Sequence, residues 1–106
     1  MDELTLFKDV HKGNVTQADK GIRWELGEIV LFFYLDKVED YCSVLLKGKK
    51  REREITHLHL SREETIDLIK LVDDPSKKIA VEKTFFYASF DVVDKSEQKP
   101  FIHYSI

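Results

Sequence analysis

The sequence predicts an α+β domain: a strongly twisted, mainly antiparallel sheet of about six or seven strands, with one helix near residues 62–73 packed on one face. Three observations carry this. β-branched and aromatic residues recur in short runs separated by glycine or charged connectors. Only one stretch shows helical spacing, and it stands behind a capping signal. The 106 residues include four Gly and two Pro, with 42% hydrophobic residues, enough for one ordinary core and too apolar for a disordered chain.

Taken in order, residues 4–10 alternate as a first strand, with Leu4 and Leu6 on one face and Thr5 and Phe7 on the other. Residues 11–21, HKGNVTQADKG, hold two of the four glycines and few large apolar groups, which predicts a mobile loop. A segment opened by Trp24 is interrupted at Gly27. Residues 28–36, EIVLFFYLD, then form a strand apolar on both alternation faces: Val30, Phe32 and Tyr34 against Ile29, Leu31, Phe33 and Leu35. A half-solvated strand would alternate, so this one should be covered on both sides. That requires the sheet to curl into a barrel or sandwich, or a second chain to cover its open face.

Residues 41–46 are the next strand, with Gly48 in the turn after it. Residues 51–60, REREITHLHL, read with period two as a long strand, placing Arg51, Arg53, Ile55, His57 and His59 on one face. At Ser61 the pattern changes. Ser61 and Glu64 form a capping box, Glu63 and Glu64 suit the positive helix start, and Ile66, Ile69 and Val72 recur at three-residue spacing, widened by Leu68 and Leu71. Asp73-Asp74-Pro75 ends the helix, because Pro75 disfavours helical geometry at Asp74. Residues 79–93 read as one bent strand or two, residues 94–100 as a charged turn, and residues 101–106 as a last short strand. No internal repeat or domain boundary interrupts the chain.

Cys42 is the one cysteine, so no internal disulfide supports the fold, and its apolar setting beside Tyr41 and Val44 predicts a buried structural thiol. Met1-Asp2-Glu3-Leu4 lacks the positive cluster and apolar run of a secretory signal. The longest apolar run, residues 29–35, is far short of the roughly 20 residues of a membrane helix. A cytoplasmic protein with no membrane association and no cofactor is expected.

Lys47, Lys49, Lys50, Arg51 and Arg53 crowd one turn. Residues 47–53 hold five basic groups against one acid, so this stretch carries +4 and the remaining chain −7 of the net −3. The total excludes a globally basic nucleic-acid binder; the turn allows a local one, with Trp24, Tyr34 and Tyr41 as stacking surfaces for single-stranded bases. The succession of strands followed by Leu60-Ser61 and the acidic helix start resembles the strand-to-helix junction of small single-strand-binding sheets such as the Whirly fold, over a generic stretch without a specific motif. The plainer alternative is a solvated hairpin turn that discourages edge aggregation.

His57, His59 and Glu63 form H-x-H-x-x-x-E, a spacing that could hold a divalent metal. It looks like part of the first metal motif of the cupin family, which implies two histidines and a glutamate as ligands. The chain departs from that family: Arg51 and Lys70 stand where the flanking glycines belong, the second motif is missing, and Glu63 begins a helix. No nucleophile elbow or phosphate-binding glycine loop is present.

The sequence therefore predicts a small non-catalytic binding or regulatory protein, acting through a sheet face or edge on a protein partner or a second copy of itself. Trp24, Phe32, Tyr34, Phe86 and Tyr87 are its candidate anchors. Single-stranded nucleic-acid binding through residues 47–53 is the alternative, and a metal-dependent enzyme at His57 and His59 the third reading.

Overall fold

The computed structural model describes residues 3–36, 38–50 and 53–106. Five strands run as an antiparallel meander: β1 (Asn14–Ala18), β2 (Gly21–Leu26), β3 (Ile29–Asp36), β4 (Tyr41–Gly48) and β5 (Glu54–Ser61). Helix α1 (Arg62–Asp73) leads to a second antiparallel sheet of β6 (Lys77–Lys83), β7 (Ala88–Asp94) and β8 (Ile102–Tyr104), in the order β7-β6-β8. Neither sheet closes on itself. The α+β architecture and the helix bounds agree with the sequence. The strands number eight among the described residues, in two sheets rather than one.

The meander sets the core. Register pairs Ile22 with Phe33, Leu31 with Leu46, and Val44 with Leu58, so the inner face of β2–β5 is apolar apart from Thr56, and Val15 of β1 extends it opposite Trp24. Ile69 and Val72 of α1 join this buried cluster, as do Ile79, Val81 and Phe90 of the second sheet. The helix stripe is rotated relative to the predicted one. Thr65, Ile69 and Val72 are buried at i, i+4 and i+7, whereas Ile66 is half-buried and Leu71 is 44% exposed. Thr65 can occupy a core position because its hydroxyl donates to the Ser61 carbonyl at 2.8 Å.

Two N-terminal expectations are corrected. Glu3–Phe7 is a 3-10 helix instead of the first part of a strand over 4–10. The apolar residues that reach the core there include Phe7 and Val10, three apart, and Phe7 packs edge-on against Trp24 and Phe33 at ring centroid distances of 5.7 and 5.1 Å. Residues 11–21 are not a loop throughout, for Asn14–Ala18 is an edge strand. Val15 lies opposite Trp24, and the other positions are small or polar because an edge strand needs little apolar cover.

Its approach is pinned. The Asp73 carboxylate accepts from the backbone N–H groups of His11 and Lys12, both at 2.8 Å, while the Lys12 carbonyl accepts from the Trp24 indole at 2.8 Å. Gly13 then turns with φ +62°, where a Cβ would stand 2.1 Å from the Glu25 carbonyl oxygen.

The long strand expected over 51–60 begins at Glu54, and a register shift between Leu46 and Lys47 changes its periodicity. The extra residue turns Ile55 toward the core and puts Glu54 beside His57. Residues 79–93 resolve into β6 and β7, joined by a tip at residues 84–87.

β3 is buried on both faces, as its composition requires, but among the described residues no helix or second sheet layer packs on its outer face. Phe32 is 7% exposed, with the Tyr34 ring stacked beside it at 6.2 Å and Lys47 Nζ 4.6 Å from its centroid. Val30 lies between Glu25 and Lys47 on the neighbouring strands. Glu25 is itself paired to Arg23 at 3.0 Å and Lys49 at 2.7 Å. Long amphipathic side chains thus screen the apolar residues with their own stems.

Candidate functional site

Two surfaces stand out once the core has been filled. The first is the β6–β7 tip. Thr84 donates its N–H to the Tyr87 carbonyl at 2.8 Å, and its hydroxyl oxygen accepts from the N–H groups of Phe86 and Tyr87, both at 3.2 Å. The tip backbone is therefore closed on one threonine, a local solution that threonine favours in turns. It holds Phe85 98% exposed and Phe86 91% exposed, their rings edge-to-face at 5.6 Å. Tyr87 is 53% exposed and hydrogen-bonds Glu82, which raises its phenol above the ordinary value.

The candidate anchors separate accordingly. Trp24 is core, Phe32 is buried on the outer face beneath Lys47, and Tyr34 is half-buried against Phe32; Phe86 and Tyr87 are presented to solvent. Phe85 is not one of the anchors expected from the sequence. A signal for it was present: Thr84-Phe85-Phe86-Tyr87 puts three aromatics in succession, and a strand splits such a run between opposite faces.

The second surface lies at the β4–β5 turn. The basic residues there do not act as one group. Lys47 lies over Phe32 on the outer face of the sheet, and Lys49 is tied to Glu25. The Lys49–Glu25 and Arg23–Glu25 contacts hold the Glu25 carboxyl below its usual range. Lys50 and Arg53 line an open cleft of about 1000 Å³ together with Lys83, which arrives from the second sheet. Arg51 lies outside the described residues. Of the proposed stacking residues, Trp24 is buried, Tyr34 lies on Phe32, and Tyr41 packs edge-on to His59 at 5.6 Å.

His57 and His59 share the outer face, their rings 5.2 Å apart and nearly perpendicular. His59 Nδ1 lies 3.3 Å from the Ser43 hydroxyl, and the carboxylate that reaches His57 is Glu54, at 3.6 Å. Glu63 is exposed on the first turn of α1. Among the described residues, no group of three or more His, Cys, Asp and Glu side chains could hold a metal ion. Cys42 is fully buried. No helix among the described residues is long and apolar enough to cross a membrane.

Comparison with protein-family models, curated proteins and solved structures finds no match to this chain.

Proposed function

We propose that this chain is a small binding protein that docks on a protein partner through the β6–β7 tip. The observation that carries this reading is the presentation of Phe85 and Phe86, nearly fully exposed, on a backbone fixed by Thr84. Exposed aromatic rings at a rigid position lose little conformational entropy on binding and bring a large apolar area. Burying both is worth about 3–6 kcal/mol before the cost of association. That matches an anchor pair entering an apolar pocket of the partner, and it moves the expected contact from a sheet face or edge to a hairpin tip. A reducing, cytoplasmic setting fits the lone, buried Cys42 thiol.

Photo-crosslinking tests the reading. Benzoylphenylalanine in place of Phe86, in living cells, is expected to give one discrete protein adduct. The same group in place of the 93% exposed Val38 should give none. Coexpressed wild type should suppress the adduct, and a Phe85→Ser/Phe86→Ser competitor should not. Absence of an adduct at position 86, or equal suppression by both competitors, rejects tip docking. An adduct of twice the chain's own mass replaces a distinct partner with a second copy.

A further inference from the structure

The cleft at the β4–β5 turn is independent of the tip reading. Its walls come from both sheets: Lys49, Lys50 and Arg53 from the turn and its exit, and Lys83 from the end of β6. Ile55 and the half-buried Tyr104, each packed in part against the core, add apolar surface to its lining. Four cations meet two carboxylates there, Glu28 and Glu54, in a chain whose total charge is −3. Lys49 is held by Glu25, but Lys50, Arg53 and Lys83 make no ion pair among the described residues. Like charges gathered in a concave, partly apolar site repel one another and focus a positive potential that an anion relieves.

The cleft's volume lies at the upper end of small-molecule pockets, roughly 300–1000 Å³, and it opens to solvent. That shape suits a segment of charged chain better than one enclosed small ligand. The Lys49 N–H is already committed to the Glu28 carbonyl at 3.0 Å, so anion contacts fall to the side chains. Cations along a groove with an aromatic side chain in its wall are the parts that bind single strands, cations tracking phosphates while a ring accepts a base face.

We infer that this cleft binds single-stranded nucleic acid, with Lys50, Arg53 and Lys83 on the phosphates and Tyr104 as the stacking surface. Lys83 is 30 residues from Arg53 in sequence, so the site exists only in the folded chain.

Fluorescence anisotropy with a labelled twelve-nucleotide oligothymidylate tests this on the full chain. Three phosphate contacts to a single strand give a log–log salt slope of about −2, so affinity should fall roughly 20-fold between 50 and 200 mM salt. Lys50→Glu/Arg53→Glu/Lys83→Glu should lower affinity at least about 10-fold at 50 mM and flatten the salt dependence. Lys70→Glu/Lys95→Glu/Lys99→Glu, with the same change in net charge elsewhere, should retain most of the binding. If circular dichroism shows the cleft variant misfolded, Lys83→Glu alone carries the test, with a smaller loss in the same direction. Phe85→Ser/Phe86→Ser should leave the oligonucleotide affinity unchanged, which separates this site from the tip.

Failure of the wild type to bind at 50 mM overturns the inference, and so does equal loss in both charge variants. Equal competition by a duplex of the same length overturns the single-strand assignment. Displacement by equimolar ATP overturns it in favour of a mononucleotide.

Discussion

Removing the Asp73 carboxylate should release the N-terminal approach to β1. Asp73→Ala deletes two hydrogen bonds of 2.8 Å, to the N–H groups of His11 and Lys12. A hydrogen bond to a charged group is worth about 1.5–3 kcal/mol. The His11 bond is solvent-exposed and is discounted to about 1 kcal/mol, and the part-buried Lys12 bond stays near 1.5 kcal/mol. Against this, Asp73 is the last residue of α1, where a negative charge opposes the helix dipole, so its removal returns about 0.5 kcal/mol. The hydrogen bonds win, leaving a net loss of about 2 kcal/mol, a large share of a small domain's stability. At roughly 0.2 kcal/mol per kelvin for a chain of this length, Tm should fall by about 9 °C. Asp73→Asn keeps an acceptor oxygen and should cost about half as much. Denaturant titration followed by the single tryptophan, Trp24, measures the global effect, and amide exchange at His11 and Lys12 measures the local one. A loss below about 0.5 kcal/mol, or unchanged exchange at both amides, refutes the clamp.

Ser61→Ala should destabilise the protein by about 1 kcal/mol through loss of the N-cap, read by chemical denaturation. The Ser61 backbone N–H, then its side chain, holds the Glu64 carboxyl below its ordinary value. The associated stability is present above the unfolded carboxyl pKa and lost as pH falls through the lower folded value, so Glu64→Gln should flatten the acid limb of a stability–pH profile. Gly21→Ala places a Cβ 2.2 Å from the Phe33 carbonyl oxygen and should cost about 1–3 kcal/mol by splaying β2 from β3, seen as accelerated amide exchange along that pair. Thr56→Val keeps the shape of a buried residue but removes its 2.9 Å hydrogen bond to the Ala88 carbonyl, which ties β5 to β7; a loss of about 1 kcal/mol, absent in Thr56→Ser, is expected in thermal melts.

What was legible in the sequence depended on whether the information was local. Helix α1 is bounded by a capping box at Ser61 and a proline after Asp74, both readable within a few residues, and its ends fall where expected. The two-faced burial of β3 follows from composition alone. The 3-10 helix over Glu3–Phe7 was not legible, because Leu4, Leu6 and Phe7 fit a strand until Trp24 and Phe33 are placed above Phe7. The strand at Asn14–Ala18 was hidden for a similar reason. Its order depends on Asp73, more than 50 residues away, and on an edge position that permits polar residues. For the candidate surfaces, the basic turn was visible as a charge run, but its division was not. Lys47 and Lys49 are drawn off by Phe32 and Glu25 on neighbouring strands, and Lys83 joins from another sheet.

The outer face of the meander explains why exposure is concentrated at the tip. A strand carrying Val30, Phe32 and Tyr34 outward ordinarily needs another layer, and the available helix is already committed to the inner face. The chain avoids that need by placing Arg23, Glu25 and Lys47 on the flanking strands, in register with Phe32 and Val30, so that aliphatic stems and ion pairs occupy the space a second layer would fill. The Lys47 ammonium and stem lie over the Phe32 ring while the side chain stays partly open to water, which makes this cover cheaper than burying a charge. No comparable cover protects Phe85 and Phe86. Thr84 spends its hydrogen bonds on the tip backbone, Lys83 faces the cleft, and Tyr87 turns to Glu82. The same chain therefore screens one set of outward aromatics and leaves another bare. That contrast, rather than exposure alone, is what supports the proposed docking at the tip.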